Sequence, residues 1–169
     1  MKKLIYIFVL LILTGCKVTY SLVDQDFPPH WKTFSLENIE VSAPNAPTTF
    51  SIQLTELIKD GLLDRTKLEL LPDGDADIQF TGTVVTYRVA PQAIQANETA
   101  AQNRLTISMR MNYTTKSQDG ELKIQSPFTL TRFAVYNADQ DLTSVEATLL
   151  EEINAQFVQD IINRLNTAS

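Results

Sequence analysis

The sequence predicts an α+β fold: two helices packed on one face of a mainly antiparallel or mixed sheet of four to five strands, an α/β sandwich. Three observations predict it. Apolar residues recur at helical spacing from Phe50 to Gly61 and again from Val145 to Leu165, the segments around them alternate with period two, and Asp119-Gly120 suits a tight hairpin. Two amphipathic helices and a sheet with one apolar face bury the most surface when both helices share that face.

The chain opens on Met1, Lys2, Lys3 and an apolar run from Leu4 to Leu13. Such a run is half the roughly 20 residues that a spanning helix needs, and with the two lysines before it has the form of a secretory leader. It closes on Leu13, Thr14, Gly15, Cys16, which resembles the lipobox at which lipoprotein leaders are cut. Cys16 is the only cysteine, so no disulfide forms within the chain and the thiol stands where acylation and cleavage require it. The expected product lacks residues 1–15 and carries a diacylglycerol and an N-acyl chain on Cys16 as its membrane anchor, each buried methylene contributing about 0.8 kcal/mol. No other cofactor is expected. Lys17 rather than an aspartate follows, which directs such lipoproteins to the outer membrane, and the lack of an acidic run favours its periplasmic face.

Residues 16–30 are read as the lipidated N-terminus and tether, ending in Pro28 and Pro29, and residues 31–169 as one domain. Losing the leader leaves 12 Lys and Arg against 20 Asp and Glu, a formal charge of −8 that argues against nucleic acid as a partner.

Trp31 marks the start of the fold. Phe34 and Leu36, then Ile39 and Val41, alternate as a strand with one change of phase. Phe50, Leu54, Leu57, Ile58 and Gly61 form the first helical stripe, with Thr48 or Thr49 as N-cap and the small Gly61 suited to close packing. Lys67 to Leu71 forms a short strand, and Pro72, Asp73 and Gly74 turn the chain into a long one from Asp77 to Val89. Within that strand Ile78, Phe80, Gly82 and Val84 share a face but Val85, Tyr87 and Val89 fall on the other; Leu122, Ile124, Phe128 and Leu130 against Phe133 and Val135 repeat the switch. Bulges produce such switches, as does a sheet whose second face meets something apolar. Leu105 to Tyr113 alternates cleanly. The last helix runs from about Ser144 to Leu165, opened by Thr143 and Glu146 at capping-box spacing, with Val145, Leu149, Ile153, Phe157, Ile161 and Leu165 as its stripe, widened by Leu150, Val158 and Ile162.

Catalytic and metal chemistry find little support. Asp73, Asp75 and Asp77 copy the first ligands of a calcium loop, but Ile78 and Val84 stand where its glycine and bidentate glutamate belong, so they read as a polar turn. His30 is the only histidine, too few for zinc, and no glycine-rich phosphate loop is present. An enzyme is not expected.

In leader, length and order of elements, and in the stretches from Pro91 to Leu105 and from Leu142 to Glu146, the chain resembles the LptE-type lipopolysaccharide-assembly lipoproteins. The resemblance implies a domain seated inside a large outer-membrane β-barrel, LptD, forming a plug-and-barrel translocon for lipopolysaccharide. It further implies lipopolysaccharide contact by basic residues near one end of the domain. Arg88 and Arg104, which bracket a long loop in an acidic chain, are the candidates, since a guanidinium grips phosphate in a bidentate fork. The loop itself, Ala90 to Asn103, is alanine-rich, lacks glycine and has Glu98 as its one charge inside the arginines, a composition suited to close packing; Ile94 and Gln95 are its candidate barrel contacts. The other reading is a free-standing lipoprotein that binds an amphiphile or peptide on its sheet.

Overall fold

The computed structural model describes residues 27–72, 75–92 and 101–168. In order these form β1 (Thr33–Leu36), β2 (Glu40–Val41), α1 (Phe50–Arg65), β3 (Glu69–Leu70), β4 (Ile78–Gln92), β5 (Gln102–Lys116), β6 (Leu122–Ile124), β7 (Phe128–Asn137) and α2 (Leu142–Ala168). Strands β4 and β5 make a long antiparallel hairpin at the centre. On the outer edge of β4, β1 pairs in parallel with its start and β2 with its middle, and β3 adds in parallel to β1. On the far edge of β5, β7 and β6 pair antiparallel, β7 with Gln102 to Met111 and β6 with Thr114 to Lys116.

The sheet is therefore mixed, as expected, but has seven strands instead of four to five. The surplus lies in β2, β3 and β6, which at two or three residues are too short to show a period in the sequence.

One face of the sheet is apolar because alternate side chains point the same way. Phe34, Ile78, Phe80, Val84, Leu105, Ile107, Met109 and Met111 are buried there beneath both helices. From α1 come Phe50, Leu54, Ile58 and Leu62, and from α2 Leu149, Ile153, Phe157, Ile161 and Leu165, with Leu150, Val158 and Ile162 widening the stripe. A Cβ on Gly61 would stand 2.6 Å from Val158 Cγ2, so the glycine sets how closely the helices approach, as its sequence position suggested. Asn154 reinforces the contact by donating to the Leu57 carbonyl at 3.0 Å.

The change of phase in the first strand is the break between β1 and β2, where Ile39 N–H turns to the Thr55 hydroxyl at 2.9 Å. The switch within β4 is a bulge: register slips between Val84 and Thr86, so Tyr87 returns to the helix side with Val84. In β7 the register is unbroken, so Phe133 and Val135 do face away from the helices, 45% and 37% exposed. The Asp119-Gly120 turn is present, with Gly120 at φ 82°.

Two local expectations are corrected. Helix α2 starts at Leu142, placing Thr143 inside the helix where it cannot be the N-cap, and Glu146 accepts a hydrogen bond from the Tyr87 hydroxyl instead of closing a capping box. The loop read from Ala90 to Asn103 is shorter than expected, because Ala90, Pro91 and Gln92 pair with Arg104, Asn103 and Gln102 as the ends of β4 and β5. Pro91 is tolerated because, among the described residues, no strand pairs with the other edge of β4 there. For α1, Thr49 is the N-cap but makes no side-chain capping bond.

Candidate functional site

The site is built on the sheet face away from the helices. In an antiparallel pair, opposite residues share a face, so the register Arg88 to Thr106 and Ala90 to Arg104 puts both arginines on this outer face as diagonal neighbours, about 7–8 Å apart. They line one open hollow of 440 Å³ with Thr86, Pro91, Gln92 and Thr106. Arg104 is held on two sides: its Nε donates to Gln92 Oε1 at 3.2 Å, and its guanidinium lies 4.1 Å from the centroid of the Phe133 ring. Arg88 is exposed and has no hydrogen-bond or ion-pair partner among the described residues. One guanidinium is thus pre-oriented and the other is free to close on a ligand.

The surrounding charge is one-sided. The long strands β4, β5 and β7, with 15, 15 and 10 residues, contain no aspartate or glutamate, although the chain has 20. Their outer face carries Arg88, Arg104 and Arg110 amid Thr106, Ser108 and Thr131. Seven carboxylates are on the helices, Glu56, Asp60 and Asp64 of α1 and Glu146, Glu151, Glu152 and Asp160 of α2, and the other described ones lie in loops and short strands. A protein that is acidic as a whole thereby presents a cationic, hydroxyl-rich surface on the outer face of β4, β5 and β7, with Glu40 of β2 and Glu69 of β3 farther out on the same face. Such a face attracts anions and offers donors to phosphate or carboxylate oxygens.

Sequence reasoning named Arg88 and Arg104 as flanks of a loop; the hairpin register makes them one site. It missed Arg110, Gln92 and the role of Phe133. The signal for Phe133 was its place out of phase with Phe128 and Leu130. Cys16, Ile94 and Gln95 lie outside the described residues.

The acidic turn is structural where it is described. Asp77 Oδ2 accepts from Lys32 N–H at 2.8 Å, Thr33 N–H at 2.9 Å and Thr33 Oγ1 at 3.0 Å, and Asp75 pairs with Lys116 at 2.8 Å. Asp73 lies outside the described residues. No cluster of three metal-ligating side chains occurs among the described residues, and none of their helices is long and apolar enough to cross a membrane. The His30 ring bonds the Lys116 carbonyl at 3.1 Å, beside Trp31 Nε1, which donates to the same oxygen at 2.9 Å.

The LptE family model, described as lipopolysaccharide-assembly, matches residues 31–165. The chain belongs to the LptE family. Among solved structures, it is similar to a minor lipoprotein from Acinetobacter baumannii, at 21% identity and TM-score 0.50 over 83% of this chain and 95% of that one. It is also similar to protein CT253 of Chlamydia trachomatis, at 11% identity and TM-score 0.54 over 80% and 95%. A neuraminyllactose-binding hemagglutinin homologue from Helicobacter pylori shares the fold at 10% identity and TM-score 0.52 over 87% and 89%. At these identities the likeness is one of fold. No curated protein sequence matches the chain. Membership of the LptE family makes this a lipopolysaccharide-assembly lipoprotein domain.

Proposed function

We propose that this protein is the outer-membrane lipoprotein that plugs an LptD-type β-barrel and assists lipopolysaccharide passage to the outer leaflet. Cys16 carries its lipid anchor, the membrane face is the periplasmic one, and no catalytic step is involved. The observation that carries the reading is the carboxylate-free stretch of β4, β5 and β7 with Arg88 and Arg104 on one hollow, in a chain that the family match assigns to lipopolysaccharide assembly. Lipopolysaccharide is an anionic, phosphate-bearing glycolipid, and paired guanidinium groups of which one is pre-oriented suit such a headgroup. Ile94 and Gln95, in the segment joining β4 to β5, supply contacts to the barrel wall.

Three measurements test the parts separately. Metabolic labelling with palmitate should mark the wild-type chain and not Cys16→Ala; label on the variant contradicts the anchor. Replacing Arg88 and Arg104 together by glutamate should weaken lipopolysaccharide binding by the purified protein at least about tenfold, the scale of one lost charge-assisted contact, with the melting temperature held. Unchanged affinity removes the arginines from the reading. A photo-crosslinking residue at Ile94 or Gln95 should trap a large outer-membrane protein in cells, and one at Gln118 in the opposite hairpin should do so less. If neither site crosslinks while expression and localisation hold, a free-standing binder replaces the plug.

A further inference from the structure

Among the described residues the sheet ends on one side in β7, whose single strand partner there is β5. The other outlying strands, β2, β3 and β6, have two or three residues, whereas β7 has ten. Long bare edges are templates for further pairing, and proteins blunt them with proline, lysine, exposed charge or bulges. Strand β7, with sequence FTLTRFAVYN, has no proline, lysine or carboxylate, and its register runs without a bulge from Phe128 to Asn137. Its one charge, Arg132, is neutralised by Asp160 of α2 at 2.6 Å.

The direction of the backbone groups follows from the ladder. Ala138 N–H donates to the Ala101 carbonyl at 3.0 Å, which makes the even-numbered residues of β7 the ones bonded to β5. The N–H and C=O groups of Thr129, Thr131, Phe133 and Val135 therefore point to the free edge. Along that edge, β7 and α2 form the walls of two hollows of 330 Å³ each, one beside Val135 and Tyr136, the other beside Phe128 to Arg132. At the second, Asp160 Oδ2 and Arg164 Nε are buried with no hydrogen-bond partner among the described residues. Phe133 and Val135, exposed at 45% and 37%, stand where residues of an added strand would be their cross-strand neighbours.

We infer that the β7 edge is a docking site for an extended segment of another polypeptide, which joins the sheet as a further strand and sets apolar residues beside Phe133 and Val135. Charge selects the occupant. Pairing β7 with β7 of a second copy would bring two α2 helices alongside, each with four carboxylates against one arginine, and like charges would oppose the contact. A neutral or basic segment of a different chain meets no such repulsion.

The test uses the full-length lipidated protein in cells, with a photo-crosslinking residue at Thr129, Thr131 or Val135 and the crosslinked positions mapped. The expected result is a ladder: the three sites join one segment of one other protein at positions spaced as they are along β7, two residues between the first pair and four between the second. Proline at Thr131, whose N–H faces the edge, leaves the β5 pairing intact and should cut crosslinking at Thr129 and Val135 about tenfold without loss of folding. Val135→Lys serves the same purpose should the proline variant not fold. Crosslinks scattered over several segments, crosslinks to a second copy of this chain, no crosslinks from a correctly localised protein, or indifference to both variants would each overturn the proposal.

Discussion

Asp77 ties the start of the domain to the central hairpin, since its carboxylate takes three hydrogen bonds from Lys32 and Thr33 while its own N–H donates to Thr33 Oγ1 at 3.0 Å. Burial pushes this carboxyl up, but the bonds from Lys32 and Thr33 and the charge of Lys116 outweigh it and hold it below its ordinary 3.8. A carboxylate depressed in the folded state stabilises above its unfolded pKa, and that stability is lost as pH falls through the folded value. Urea midpoints at pH 7 and pH 3 should therefore differ less for Asp77→Asn than for wild type; an equal difference would show that the clasp does not titrate with folding. Asp77→Ala leaves two backbone donors unpaired and should cost about 2 kcal/mol at pH 7. Tyr87 moves the other way: burial, then the hydrogen bond and charge of Glu146, raise its phenol above the usual tyrosine range, so the two remain joined across neutral pH.

At the scale of elements, the contact between α1 and α2 is set by a glycine. Gly61→Ala gains helix propensity of about 1 kcal/mol but drives its methyl into Val158, and overpacking of about 1–3 kcal/mol outweighs the gain. Adding Val158→Ala should recover most of the loss that Gly61→Ala causes, and additive effects in denaturant melts would deny the contact. Phe157→Asp places a carboxylate at a position with 0% exposure and should unfold the domain, seen as loss of the cooperative melt. Both stripes were legible in the sequence because a long helix repeats its period several times. The capping box was misread because Thr143 and Glu146 have the right spacing in either register, and only the start at Leu142 shows that Tyr87 takes the glutamate. The β4 bulge was legible as one of two causes of a face switch, whereas β7 has no bulge and its apolar Phe133 and Val135 stay on the outer face. The arginine site was half legible: residue types pointed to Arg88 and Arg104, but their meeting depends on the register of a long hairpin and on Phe133 from a third strand, which no local pattern encodes.

Across the whole molecule, the outer face of β4, β5 and β7 carries arginines and hydroxyls and no carboxylate, while both helices bear carboxylates. On that distribution, and on the edge of β7, rests our proposal for how the domain is used. The central claim is that it works as a stoichiometric partner of an outer-membrane barrel in lipopolysaccharide assembly. The most direct test is affinity purification of the tagged full-length lipoprotein from detergent-solubilised outer membrane, with co-purifying proteins identified and quantified. An LptD-type barrel in roughly equal amount is the predicted result. Recovery of the lipoprotein alone, intact and lipidated, under conditions that keep other barrel complexes together would contradict the account.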